Sequence, residues 1–232
     1  ENKKTLILYH VRPDADAVGS AFALRELFRV MEIPAYCACS DDIPERLLFL
    51  ADGVQGSAIL DDDMKIDYER IISVDSASPS QLGSLFERLH RDVDIMIDHH
   101  AKGTVYADNY IDPDAAATGE IIYRVARRMV EMGYIDRIPE RSLNCIYAAI
   151  SADTGCFKFA NTTPQTMRVA AELIETGVDF SYINTLLYDY KPLVQIKAEG
   201  EAVHRLKTYM DGKISSVVFP YSLKCSLGAS SE

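Results

Sequence analysis

Long apolar runs are missing from this chain. Nowhere in its 232 residues do eighteen apolar residues follow one another, so no membrane-spanning helix is predicted. Cysteine is scarce: Cys37, Cys39, Cys145, Cys156 and Cys225, an odd number at irregular spacing. With no signal-peptide pattern at Glu1–His10, this usage predicts a reduced, cytoplasmic compartment and a fold that needs no disulfides. Basic residues are the minority, 24 Lys and Arg against 35 Asp and Glu, a formal charge of −11. Such a chain repels polyanions at long range, which argues against a protein that coats long nucleic acid. Bound cations change this locally, because carboxylates that have gathered metal ions can then hold a phosphate. Internal repeats and low-complexity tracts are absent, and with 48% hydrophobic and 25% charged residues the composition is globular. At about 150 residues per domain the length implies one or two domains.

Thr5–Tyr9 is a short apolar run with strand composition, ending at His10 and followed by a turn at Pro13. From Ala17 onward Val18, Ala21, Phe22, Leu24, Leu27, Phe28 and Met31 recur at helical steps, and Pro34 stops the pattern. Two more apolar runs follow, Arg70–Val74 ending at Asp75 and Val93–Ile97 ending at Asp98-His99-His100. Further helices are predicted at Gly119–Met132, Arg141–Ile150 and Pro164–Thr176, the last with Pro at its start and Gly177 after its end. Alternating strands and helices predict an α/β fold, a mostly parallel sheet with helices on both faces. In such a sheet ligands bind beyond the carboxyl ends of the strands, where these polar residues fall. Asp61–Asp67 reads as an acidic connector. After Gly177 the sequence changes to Tyr182–Tyr190, a helical Val194–Met210 and a strand-like Ile214–Phe219. The expected organisation is a catalytic domain over residues 1–180, a connector helix over 181–210, and the beginning of a smaller α/β C-terminal domain over 211–232.

Four constellations carry chemistry: His10, Asp14 and Asp16 around the first strand-to-helix turn, then Asp75, then Asp98-His99-His100, and finally Asp153 in Ser151-Ala-Asp153-Thr-Gly155. Oxygen and imidazole donors without cysteine favour Mn²⁺, Mg²⁺, Zn²⁺ or Fe²⁺, with Mn²⁺ the best fit. Two such ions sharing a carboxylate would clamp both the attacking and leaving oxygens of a phosphoryl displacement. Singly, each motif has a plainer reading: Asp14 and Asp16 as helix caps, Asp75 as an ordinary strand-end aspartate, Asp153 as part of a turn. Their joint occurrence at four consecutive strand ends points to a metal site.

These motifs resemble those of the DHH phosphoesterases. The resemblance runs from Thr5 to about Thr163 and includes His10-x-x-x-Asp14-x-Asp16-x-x-Gly19-Ser20, Val74-Asp75-Ser76, Asp98-His99-His100, and Asp153-Thr-Gly-Cys-Phe157 through Asn161-Thr162. The first and last of these look most like the branch of oligoribonucleases and 3′-phosphoadenosine-5′-phosphate (pAp) phosphatases. The resemblance implies a hydrolase acting on phosphoester bonds with two Mn²⁺, or Mg²⁺ or another divalent ion. His10, Asp14 and Asp75 would hold one ion, and Asp16, Asp75, His99 and Asp153 the other, with Asp75 as the bridge. Asp75, Asp98 and His100 are the implied catalytic set, His100 facing the scissile phosphate and Asp98 orienting an imidazole. His100, Asn161, Thr162 and Ser20 are the implied substrate contacts, although Gly19 and Ser20 equally suit close packing of the first helix. The implied substrates are short RNA or DNA oligonucleotides, cut exonucleolytically to 5′-mononucleotides by water activated between the metals, and pAp, converted to AMP. Alternatives with the same metal plan are a cyclic-dinucleotide phosphodiesterase and a manganese-dependent inorganic pyrophosphatase; a nucleotide-binding module without turnover is a third. No membrane partner is expected, and a homodimer is one assembly open to it.

Two departures stand out. Relatives commonly carry serine where this chain reads Ala115-Ala-Ala117, which alters a helix cap and not the metals. Relatives also carry a C-terminal domain with a basic Ser-Leu-Arg-Ser-like strand and a glycine-rich loop. Here Lys224-Cys-Ser-Leu227 reads as the start of that strand, but the arginine and the loop do not follow. His90 and His204 read as solvated surface histidines, Cys37-Ala-Cys39 as buried strand, and Tyr182–Tyr190 as a packing connector in preference to a base-stacking platform.

Overall fold

A computed structural model describes residues 3–53 and 68–228; the acidic connector Asp61–Asp67 lies outside them. Two compact units divide the chain between Leu187 and Tyr188.

The first unit is built on five parallel strands in the order β2-β1-β3-β4-β5. These are β1 (Thr5–Leu8), β2 (Ala35–Ala38), β3 (Arg70–Val74), β4 (Ile95–Asp98) and β5 (Asp108–Ile111). Alternation of side chains divides the sheet into two apolar faces. Ile7, Tyr9, Cys37, Ile72, Val74 and Ile97 join the larger core, whereas Leu6, Leu8, Ala38 and Ile71 join a smaller one on the other side. Over the larger core lie α1 (Ala15–Val30), α3 (Thr118–Glu131), α4 (Glu140–Asp153) and α5 (Pro164–Glu175). The smaller core is closed by Leu82 of a 3-10 turn at Pro79–Leu82 and Leu85 of the short α2 (Ser84–Arg88). Helices therefore cover both faces of the sheet.

Within α1 every residue from Ala15 to Leu24 is buried, because α1 is wedged between the sheet and α4. Gly19 permits the approach: a Cβ there would sit 2.6 Å from the Cys145 carbonyl oxygen. So Gly19 packs α1 against a helix and not against the sheet. The helices predicted between Ala17 and Thr176 all form, with ends moved by at most three residues. Strand β5, whose Asp-Asn-Tyr-Ile sequence is largely exposed, carries no apolar signal and was not expected. Asp153 is the last residue of α4, so the fourth constellation comes from a helix end and not from a strand or turn.

The first unit runs past the expected boundary at residue 180. Helix α6 (Phe180–Asn184) buries Ile183 in the main core, and Asn184 Nδ2 donates to the Tyr147 hydroxyl at 3.1 Å. Tyr182 and Tyr190 are exposed, so the apolar residues of this stretch do the packing. The second unit contains α7 (Leu193–His204), an antiparallel pair β6 (Lys207–Tyr209) and β7 (Ile214–Ser216), and α8 (Tyr221–Leu227). Helical structure thus stops at His204, short of Met210. The segment Lys224–Leu227, expected to begin a strand, is the end of α8; the helix starts after Pro220 and closes on Gly228 in the left-handed conformation, a common stop. Among the described residues no helix is long and apolar enough to cross a membrane.

Candidate metal centre

The chain leaves β1 toward β2 on one side and returns to β3 on the other, so the order of the sheet reverses between β1 and β3. Open α/β sheets form a crevice at the carboxyl ends of strands where this happens. His10 lies two residues beyond β1, Asp75 one residue beyond β3, and Asp98 ends β4 with His99 and His100 following. Asp14 and Asp16 sit at the N-terminus of α1, and Asp153 enters from the C-terminus of α4.

Six side chains meet in two groups that share Asp75. In the first, His10 Nε2 is 3.7 Å from Asp14 Oδ1 and 3.5 Å from Asp75 Oδ2. In the second, His99 Nε2 is 3.7 Å from Asp16 Oδ2, 3.7 Å from Asp75 Oδ1 and 3.3 Å from Asp153 Oδ2. Asp75 therefore turns one oxygen to each group. The donor atoms of His10, Asp14 and Asp75, and those of Asp16, His99 and Asp153, lie within 4.8 Å of one another, a spacing that one ion per group can bridge. Oxygen and imidazole donors without sulfur fit hard or borderline divalent cations.

Five of the six members, all but Asp153, are held from behind. His10 Nδ1 meets the Val11 carbonyl at 2.8 Å and His99 Nδ1 meets the Ala115 carbonyl at 3.3 Å. A proton on each Nδ1 leaves the Nε2 lone pair to the centre, the usual support of a metal-ligating histidine. Asp14 Oδ1 accepts the amides of Asp16 and Ala17 at 3.0 Å each, so it caps α1 while facing His10. The capping and ligand readings of Asp14 coexist. Asp16 is fully buried; its Oδ2 accepts Thr118 N–H at 2.7 Å, and its Oδ1 accepts Gly119 N–H at 2.9 Å and the Ser20 hydroxyl at 3.1 Å. It thereby caps α3, whose own N-cap position is Ala117 with no side chain to offer. Asp75 takes the Thr118 hydroxyl on Oδ1 at 3.0 Å. Its backbone is left-handed, φ 52°, a region that aspartate tolerates better than most residues.

The electrostatics are those of a cluster short of positive charge. Burial pushes Asp16 well above the usual carboxylate range, and Asp75, Asp153 and Asp14 push the same way. Burial lifts Asp153 to about 6, with His99 pulling back and Asp75 and Asp14 adding to the rise. At His10 burial opposes the charge, but hydrogen bonds to Asp14 and Asp75 outweigh it and raise the imidazole to about 11. Asp14 is lowered: its burial is overcome by His10 and the capping amides. A cation bound here would displace protons that these shifted groups otherwise hold.

His100 borders the second group: its Nδ1 is 3.7 Å from Asp75 Oδ1, and with Asp75 and His99 it forms a third set of donors within 4.8 Å of one another. Its Nδ1 is 2.7 Å from Asp98 Oδ1, a contact that raises its pKa against the opposing effect of burial, and 41% of its side chain is exposed. Asp98 also accepts the amides of His99 and His100, at 2.9 and 3.3 Å. The predicted substrate contacts fare differently. Ser20 is fully buried with its hydroxyl on Asp16, which removes it from contact with a substrate. Asn161 Nδ2 donates to the carbonyls of Ala116 and Asp153, at 3.0 and 3.1 Å, and ties the backbone before α3 to the end of α4. Thr162 has a buried hydroxyl oxygen without a hydrogen-bond partner among the described residues. Sequence reasoning missed Thr118 and Gly119, which hold two of the carboxylates from 43 and about a hundred residues away. The one local signal was a Thr-Gly pair opening a helix that has no capping side chain.

Known proteins resemble this chain over most of its length. The bifunctional oligoribonuclease and PAP phosphatase NrnA of Bacillus subtilis is 32% identical over 205 residues, covering 84% of this chain and 60% of that protein. Its namesake from Thermus thermophilus is 29% identical over 217 residues, covering 92% and 62%. The chain thus spans about 60% of the length of these relatives. An exopolyphosphatase-related protein from Bacteroides fragilis, 20% identical, superposes with a TM-score of 0.86 over 99% of this chain and 69% of that one, which shows a shared fold. Residues 4–150 match the DHH family, N-terminal domain, a stretch that holds all five parallel strands and every residue of the cluster except Asp153, and the chain belongs to that family.

Proposed function

We propose that this protein is a divalent-metal-dependent phosphoesterase that releases 5′-mononucleotides from very short oligonucleotides and removes a phosphate from pAp. The observation that carries this reading is the division of the Asp75 oxygens between two donor groups, His10 with Asp14 and His99 with Asp16 and Asp153. Two ions held there, Mn²⁺ in this reading, would polarise the phosphate oxygens and ease deprotonation of attacking water. The names of the Bacillus and Thermus relatives support the choice of substrates.

The chain's own groups supply the rest. Carbonyl contacts at Nδ1 of His10 and His99 keep both Nε2 atoms facing the centre. Asp98 holds His100 in a fixed orientation and keeps it protonated toward neutral pH, so that its Nε2 can give a proton to the departing oxygen. Thr118 and Gly119 hold Asp75 and Asp16 still before substrate arrives, which lowers the reorganisation needed at reaction.

Product analysis tests the reading: the protein with Mn²⁺ is given a labelled dinucleotide, a 24-nucleotide strand, pAp, cyclic di-AMP and pyrophosphate in turn. Preference for the dinucleotide and pAp is expected. Turnover of pyrophosphate or cyclic di-AMP alone would retain the metal centre and refute the substrate assignment, and tight binding without any product would refute turnover.

A further inference from the structure

The turn that presents Asp75 breaks the alternation of β3. Ile71 belongs to the smaller core, and Ser73, two residues on, is bonded to Tyr106, which packs against that core. Continued alternation would send Asp75 the same way. Its left-handed backbone, φ 52°, turns the carboxylate instead to the Thr118 hydroxyl of α3, a helix that covers the other face of the sheet. Backbone in this region persists where its surroundings fix it.

Tyr106, in the segment that follows His100, meets this turn from the side of the smaller core. Its hydroxyl oxygen is 2.9 Å from Ser73 Oγ and 3.0 Å from the Ser76 carbonyl oxygen. A phenol has a single proton; it goes to the carbonyl, which can only accept, and the Ser73 hydroxyl donates to the phenol oxygen. Ser73 lies before Asp75 and Ser76 directly after it, so one hydroxyl ties both ends of the turn. Burial lifts that phenol to about 12, which keeps its proton in place at neutral pH. The chain around Tyr106 is itself anchored. Its ring meets Phe86 edge to face with 6.3 Å between centroids, and Thr104 N–H donates to the Ala77 carbonyl at 2.8 Å. Gly103 allows that approach, because a Cβ there would fall 2.2 Å from the same oxygen. The segment leaving Asp98-His99-His100 is thus laced along the backbone from Ser73 to Ala77.

We propose that Tyr106 is a positioning residue for the shared carboxylate: by closing both ends of the turn with one hydroxyl, it fixes the direction from which Asp75 offers one oxygen to each donor group. Its bonds go to Ser73 and to the main chain, so it acts on the carboxylate through the backbone. Asp75 is thereby held twice, by Thr118 on the carboxylate and by Tyr106 on the turn beneath it. Without the Tyr106 hydroxyl the carboxylate can tilt toward one group and leave the other short of a ligand. What Tyr106 sets is therefore the link between two ions, beyond the capacity to bind one. This inference rests on the phosphoesterase reading above, in its two-ion form, and names a further residue of that same site.

The test is Tyr106→Phe, which removes the hydroxyl and keeps the ring. Two Mn²⁺ ions joined by a bridging carboxylate give an exchange-coupled electron paramagnetic resonance spectrum, whereas separate ions give the signal of isolated Mn²⁺. Wild type loaded with two Mn²⁺ per chain should give the coupled spectrum, and Tyr106→Phe should convert much of it to the isolated form. Mn²⁺ affinity of the variant should fall about tenfold, the lower end of the usual cost of losing a group that orients a ligand. In metal-free protein the Asp75 amide, bonded to the Ile97 carbonyl at 2.9 Å, should exchange its hydrogen faster in the variant. Phe86→Leu is the packing control: it should lower the midpoint of urea unfolding while retaining the coupled spectrum and the wild-type affinity. An unchanged spectrum and affinity in Tyr106→Phe, or equal losses in Phe86→Leu, would overturn the positioning role while leaving the phosphoesterase reading standing. A wild-type protein that takes up one ion, or two without coupling, would overturn the two-ion centre and the positioning role with it.

Discussion

Asp75 sits in a left-handed backbone conformation, accepts a hydroxyl, and faces both donor groups, so its removal cannot be absorbed by a neighbour. Asp75→Ala should abolish both high-affinity Mn²⁺ uptake, read by calorimetry, and turnover; residual turnover would refute a shared carboxylate. Thr118 acts one step back. Thr118→Val should weaken Mn²⁺ binding about 10–100-fold, the usual cost of losing a group that orients a ligand, while Thr118→Ser should stay near wild type. Proton linkage follows from the same residues. Without metal, His10 is raised to about 11 and keeps its proton throughout the neutral range; coordination needs the neutral ring, so metal displaces that proton. Mn²⁺ affinity should therefore climb as pH rises from about 6 to 9, and fall more steeply below 6, where Asp153, lifted to about 6, also protonates. Calorimetry in buffers of different ionisation enthalpy would count the protons released, and an affinity independent of pH would contradict the assignment.

At the scale of elements, the centre depends on how closely α1, α3 and α4 approach. Asp16 on α1 accepts two amides at the start of α3, so one carboxylate is both candidate ligand and helix cap. The missing cap at Ala117 is supplied in space and not along the chain. Gly19 sets the α1–α4 distance three residues further on, and its neighbour there is a backbone carbonyl that cannot rotate away. Gly19→Ala should cost about 1–3 kcal/mol of stability, as overpacked cores do, and lower the midpoint of urea unfolding. The apolar run Thr5–Tyr9 and the steps of three and four from Val18 to Phe28 were legible because apolar residues were there to display them. Strand β5 was not legible, since its exposed Asp-Asn-Tyr-Ile forms a strand by pairing with β4 and not through its own pattern. The strand expected at Lys224–Leu227 failed for a related reason: four residues contain too few steps to separate one period from the other, and Pro220 with Gly228 framed a helix.

On the scale of the whole molecule, every residue of the cluster and both apolar cores belong to the first unit. Among the described residues of the second unit none is buried. A chain ending after Leu187 should consequently unfold cooperatively and bind Mn²⁺ as the whole chain does; loss of metal binding would show that the second unit supports the centre. The formal charge of −11 acts over the entire surface. Each added phosphate of a long substrate meets that repulsion, whereas a short one needs only the local cations. Cleavage should thus slow as oligonucleotides lengthen from two to twenty-four residues, and more so at low salt, where repulsion is screened least. Equal rates at all lengths would exclude this account.

The sequence by itself determined the parallel α/β architecture and the identity of the clustered residues. Apolar periodicity reports burial locally, and His or Asp beside a strand end announces itself. What only the tertiary structure decided was pairing at a distance: which oxygen of Asp75 faces which histidine, that Asp16 caps α3, that Thr118 steadies Asp75, and that Ser20 is buried. Those outcomes depend on backbone amides and hydroxyls whose partners lie up to a hundred residues away, and a residue's type does not record its partner until packing brings the two together.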